Sequence, residues 1–213
     1  KKMNEQTDLE SAVDTDSVIR YFVAHNFLCN FDSYTGGMIH NYYLYEKDGR
    51  MVMIPWDYNL AFGGFAGAKD AASLVNFSID QPVSGGSVED RPMISWIFAD
   101  EKYTEQYHDY FREFLAECCD SGYIKKEIAG VKAMISPYVK DDPTKFCTYE
   151  EFEKGIDTLD KFCDLRCKSI RTQLDGGGET VEADGISISD MGGMGGMGGK
   201  DGMRPGRSER QPG

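Results

Sequence analysis

The feature that most constrains this fold is a hairpin signal set between an acidic loop and a glycine-rich one. Residues 31–64 read FDSYTGGMIHNYYLYEKDGRMVMIPWDYNLAFGG. Residues 41–46 and 51–55 are rich in aromatic and branched apolar side chains, which favour pleated, half-buried strands. Between them, Lys47-Asp48-Gly49-Arg50 supplies the Asp-Gly pair whose positive backbone angles suit a tight hairpin turn. A hairpin returns the chain to its starting point. Asn41, entering the first strand, and Asp57, leaving the second, are therefore expected to meet at one end, with Asp32 in the loop upstream. Asparagine is disfavoured in strands, which gives Asn41 a role other than strand propensity. Oxygen-bearing side chains fixed in this way suit a hard divalent cation beside a general base, the equipment of phosphoryl transfer. Each aspartate taken alone also reads as a turn or cap former.

The chain has 213 residues, enough for one medium domain plus extensions. Its 40% apolar and 12% aromatic content supports a real core. A net charge of −13 argues against binding nucleic acid or an anionic membrane through general electrostatics. No apolar run reaches the length of a membrane span. No signal peptide is visible, and the opening Lys-Lys-Met-Asn reads as a cut end. Cysteines stand at 29, 118, 119, 147, 163 and 167. A zinc site built from Cys118, Cys119, Cys163 and Cys167 competes with buried thiols acting as small hydrophobes. One disulfide would suit a secreted protein.

Along the chain, residues 1–14 read as a flexible start or the end of a preceding element. Asp14 or Asp16 caps a helix running to Cys29, with Val18, Tyr21, Phe22, His25 and Cys29 on its core face. Residues 56–91 read as a glycine-rich loop. Helices are expected over 91–119 (one, or two broken near Asp100) and over 121–140, where Ile124, Ile128, Val131 and Ile135 form a core stripe and Pro137 bends or ends the helix. A capping box of Thr148 and Glu151 opens the last helix, which runs to Leu174. From 175 to 213 the composition is that of a disordered Gly/Met-rich tail with three Met-Gly-Gly units. The fold class is α+β: a mostly helical domain over 15–174 with a small hairpin carrying the site.

Protein kinases place a catalytic aspartate, a metal-holding asparagine, a hairpin and a metal-binding aspartate in that order. Asp32, Asn41, the hairpin and Asp57 follow it, without an H-R-D or D-F-G sequence. FDSYTGG, HNYYLYEKDGR and IPWDYNLAFGG closely resemble the CotH family of atypical, secreted or spore-associated protein kinases. RPMISWIF, YTEQYHDYFREFLAE and PYVKDDPTKFCTYEEFEKGI extend the resemblance over about residues 16–174. It implies a kinase-like C-terminal lobe, with the N-terminal lobe missing, that moves the γ-phosphate of ATP to protein Ser/Thr using Mg²⁺ or Mn²⁺. By that resemblance Asp32 is the catalytic base and Asp57 the metal ligand that bridges the phosphates. Asn41 is a second ligand of metal and nucleotide, and Asn59 assists the metal. His40 reads as structural. The partners implied are a Ser/Thr-bearing protein substrate and the missing lobe of the same parent, in an extracellular, cell-surface or spore-associated setting. No phosphate-covering loop or clamp lysine precedes Asp16, so the chain alone is expected to be nearly inactive. The alternative is a cell-surface or spore-coat adhesion module with a degenerate kinase fold.

Overall fold

The computed structural model describes residues 2–5, 7–65 and 69–193. A short helix, α1 (Lys2–Glu5), and a 3₁₀ turn (Leu9–Ser11) lead into α2 (Thr15–Phe27). The Asp14 carboxylate caps α2 by accepting the Ser17 N–H at 3.1 Å. Val18, Ile19, Phe22 and Phe27 bury the apolar face of α2 in the core, and Tyr21, His25 and Cys29 are buried with them.

Strand β1 (Tyr42–Lys47) pairs antiparallel with β2 (Arg50–Pro55), in register from Tyr42↔Pro55 to Lys47↔Arg50. Asp48 and Gly49 take φ of 55° and 83°, the two positive angles for which an Asp-Gly pair is suited. Met53 turns into the core, whereas Tyr43, Tyr45 and Ile54 alternate onto the exposed face. The start of the chain is more ordered than its polarity implies. Val13 bridges Met51 in parallel, the Asp14 N–H donates to the Met51 carbonyl at 3.0 Å, and Leu9 and Val13 are buried. Two apolar side chains and a few backbone bonds fix residues 9–13 against the hairpin, within the stretch read from sequence as a flexible start or the end of a preceding element.

The stretch expected to be loop contains a 3₁₀ turn (Tyr58–Leu60) and a helix, α3 (Ala71–Val75). Asp70 caps α3, and Leu74 and Val75 enter the core with no exposure. Next come α4 (Ser95–Ala99) and α5 (Glu101–Phe114), separated at Asp100, whose carboxylate accepts the Lys102 N–H at 2.9 Å. A π-helical segment (Leu115–Asp120) prolongs α5, and Gly122, at φ 74°, starts α6 (Tyr123–Asp141). Pro137 lies inside α6, which continues to Asp141. The expected core stripe of α6 packs only at its beginning. Ile124 and Ile128 lie partly buried against the core, whereas Val131, Met134 and Tyr138 are exposed.

The long α7 (Tyr149–Leu174) opens with the expected capping box: Glu151 N–H donates to Thr148 Oγ1 at 3.1 Å, and Thr148 N–H to Glu151 Oε2 at 2.8 Å. Phe162, Cys163, Arg166 and Ile170 carry α7 through the core. A disulfide joins Cys119 to Cys167 across 48 residues, so those two sulfurs are not available to a four-cysteine zinc site. Cys29 and Cys163 are buried thiols. A loop of this length gives a stabilisation of about 4 kcal/mol from restriction of the unfolded chain. Reduction, or Cys167→Ser, is expected to lower the urea midpoint accordingly; an unchanged midpoint under dithiothreitol would contradict it.

Residues 175–193 are not tail-like. Val181 is buried and exchanges hydrogen bonds with the Asn76 side chain, 2.9 Å each way. A last 3₁₀ turn (Ile188–Met191) lies along α7, with Lys154 paired to Asp190 at 2.8 Å. Sparse apolar residues, Val181, Ile186, Ile188 and Met191, dock this strap, which composition alone averages away. Residues 194–213, where the rest of the expected disordered tail falls, lie outside the described residues. Among the described residues no helix is long and apolar enough to cross a membrane.

Candidate functional site

The loop after α2 delivers Asp32, which is only 7% exposed. Its Oδ1 accepts from His40 Nε2 at 2.5 Å and its Oδ2 accepts from Asn41 Nδ2 at 3.1 Å. One carboxylate is thus held by two consecutive side chains at the mouth of the hairpin. The backbone pays for this aim locally: Ile39 and Asn41 both adopt left-handed φ, 51° and 52°. Asparagine tolerates that region, but a branched residue such as Ile39 rarely does, and such outliers cluster at functional sites. Asn41 is therefore not the first strand residue. It is the turn that precedes β1, and the turn directs its amide back onto Asp32.

Beyond the Tyr42↔Pro55 pair, the next residues of the two strands are Asn41 and Trp56, and Asp57 follows at once. Asp57 is exposed, has φ 56°, and its carboxylate makes no hydrogen bond among the described residues. Asn59 is also exposed, inside the 3₁₀ turn. Asp32, His40 and Asn41 are in direct hydrogen-bonded contact. Asp57 and Asn59 stand at the same end of the hairpin but do not bond to them.

A buried imidazole ties the two aspartate loops together. His25 Nδ1 meets the Tyr58 hydroxyl at 2.6 Å, while its Nε2 meets Ser33 Oγ at 2.8 Å and Thr35 Oγ1 at 2.9 Å. Ser33 donates its proton to the Asn30 carbonyl, so it accepts from Nε2–H, and Nδ1 is left to accept from Tyr58. One ring thereby links the residue after Asp57 with the residue after Asp32. Burial pushes the His25 pKa down to about 4. The folded value lies below the unfolded one near 6.5, so the unfolded chain binds more protons between those values. Stability is expected to be full above about pH 6.5 and to fall by roughly 3 kcal/mol as pH drops through 4. Urea midpoints across that window check this, and a slope identical in His25→Gln would contradict it.

The other side of the Asp32 loop is held by Arg91, which is buried. Its Nε donates to the Tyr34 carbonyl at 3.1 Å, and Nη2 donates to the carbonyls of Gly36 (3.1 Å) and Gly85. Gly36 admits no side chain, since a Cβ would lie 1.8 Å from the Phe31 carbonyl oxygen. Sequence reasoning placed His25 only on a core face and passed over Ser33, Thr35, Tyr58 and Arg91. A histidine on an apolar face followed by two hydroxyl residues was a usable signal. Arg91 gave none, because its partners are main-chain carbonyls far along the chain.

The sequence model of the family described as CotH kinase protein matches residues 1–170, the span that includes the Asp32 loop, the hairpin, Asp57 and most of α7. The chain belongs to the CotH kinase family. Among curated proteins, none matches it. Membership makes this a kinase-related chain, and nucleotide use is the general chemistry of such a family.

In this CotH chain the donors near the hairpin mouth are oxygens: the Asp57 carboxylate and the amide oxygens of Asn41 and Asn59. Asn41 spends its NH₂ on Asp32, which leaves its carbonyl oxygen as the acceptor. Among the described residues no group of three or more His, Cys, Asp or Glu is placed to hold a metal. The set does not resemble a dedicated all-protein cage. It fits Mg²⁺ or Mn²⁺, which are commonly held by one or two carboxylates together with substrate phosphates and water.

Proposed function

We propose that this CotH chain supplies the base and metal side of a protein kinase that transfers the γ-phosphate of ATP to serine or threonine hydroxyls. The observation that carries this reading is the Asp32 carboxylate, locked by His40 and Asn41 at the end of the hairpin from which Asp57 projects. In it, Asp32 accepts the proton of the acceptor hydroxyl and orients its oxygen toward phosphorus. Asp57, with Asn41 and Asn59, would hold Mg²⁺ or Mn²⁺, which supplies neutralisation of the phosphate charge when bound. His25 and Arg91 act one layer away, fixing the two loops relative to each other. The Cys119–Cys167 bond supports an oxidising, cell-surface or spore-associated setting.

The test is phosphate incorporation into a Ser/Thr-bearing protein, measured with ATP and Mn²⁺ under single-turnover conditions. Asp32→Asn is expected to slow transfer by about 10²–10⁴-fold while leaving nucleotide affinity close to that of the parent. Equal rates in the two proteins would remove Asp32 from the chemistry.

A further inference from the structure

A groove of about 760 Å³ lies between the turn that follows Asp57, the first half of α7 and residues 189–193. Phe62, Phe146, Phe152, Ile156 and Leu159 give it an apolar wall, and Asn59 stands at one side. Phe146 is 87% exposed, so this wall is not satisfied by the described residues.

The far side of the groove is built from Met191-Gly192-Gly193, the first of three identical units over residues 191–199. That unit is already seated. Met191 packs against the core, and Gly193 lies so close to the 58–64 segment that a Cβ on it would stand 2.9 Å from the Gly64 carbonyl oxygen. The chain therefore leaves the described region from within the groove, with two more copies of the unit that fits there still to come.

We propose that the groove docks residues 194–213 of this same chain through the apolar side chains of Met194 and Met197. Methionine is unbranched and adapts to irregular apolar surfaces, and glycine lets the intervening backbone approach closely. Tethering directly at the lip gives a high effective concentration, so modest contacts suffice. Charge agrees with this. The segment carries Lys200, Arg204, Arg207 and Arg210 against Asp201 and Glu209, on a chain whose net charge is −13. This inference does not depend on the kinase reading.

The full chain carrying a photoreactive benzoylphenylalanine in place of the exposed Phe146 tests it. After irradiation and digestion, mass spectrometry is expected to find intramolecular cross-links to residues 194–203, in a yield independent of protein concentration. The double substitution Met194→Ser, Met197→Ser removes the apolar side chains and is expected to cut that yield about tenfold. Capture only of other segments would overturn the proposal. So would a yield unchanged by the serines, or intermolecular products that grow with concentration, which would give the groove to a second copy.

Discussion

Asp57→Asn is expected to abolish metal-dependent phosphoryl transfer, with a loss of about 10³-fold or more, because several kcal/mol of charge stabilisation depend on the carboxylate. The substitution keeps the shape of the side chain and a single carbonyl oxygen but removes the negative charge. Asp57 makes no hydrogen bond among the described residues and is exposed, so the fold should not register the change. Its left-handed backbone suits asparagine as well as aspartate. A matched thermal midpoint with lost transfer is therefore the expected pair of results. Wild-type transfer by Asp57→Asn would show that the metal is held elsewhere. The contrast with Asp32 is informative. Asp32→Asn can keep its amide oxygen toward Asn41 and turn its NH₂ toward His40 Nε2, which accepts in its other tautomer, so it removes the base while Asn41 keeps its partner.

The largest effect on stability is expected at Arg166. This guanidinium has no exposure and no carboxylate partner. It donates instead to the carbonyls of Val75 (3.0 Å) and Phe77 (2.6 Å) and to the Asn26 side chain (2.6 Å). It thereby ties α7 to the segment after α3 and to the last turn of α2, beside His25. Arg166→Met fills a similar volume but leaves the Val75 carbonyl and the Asn26 side-chain oxygen without donors, at about 1–3 kcal/mol each, and leaves the Phe77 carbonyl only its 3.4 Å bond from Gln173. Part of this is offset, because a buried charge is itself costly and its Nε has no partner. The net loss is expected to be about 3 kcal/mol, a large fraction of the stability of a typical domain. Urea unfolding measures it. A loss below about 1 kcal/mol would mean that water or local rearrangement satisfies those carbonyls.

What was legible in the sequence was local. Asp48-Gly49 dictates its turn, Thr148 and Glu151 their capping box, and Asp100 the break between α4 and α5, because each signal acts within four residues. The turn fixes the register and so places Asn41 and Asp57 at one end of the hairpin, but the Asn41–Asp32 hydrogen bond was not legible, because Asp32 lies outside the ribbon. The strand assignment of Asn41 failed because its left-handed backbone overrides the pleat. The packing of residues 9–13 and 175–193 was not legible, because a few apolar side chains among polar ones carry it. The outer face of α6 misled in the opposite sense. Ile124, Ile128, Val131 and Ile135 have helical spacing, yet periodicity states only that a face exists, not what covers it. Arg91 and Arg166 were invisible as organisers because they bond main-chain oxygens, which leave no trace in residue type.

In the proposed reading, Asp57 and the Asp32–Asn41 pair serve one nucleotide–metal site. Calorimetric titration of the chain with ATP, with and without Mn²⁺, tests it most directly when repeated on Asp57→Asn and Asp32→Asn. Saturable binding that requires Mn²⁺, survives in Asp32→Asn and disappears in Asp57→Asn is the predicted result. Binding that ignores the metal, or that is equally strong in Asp57→Asn, would contradict it.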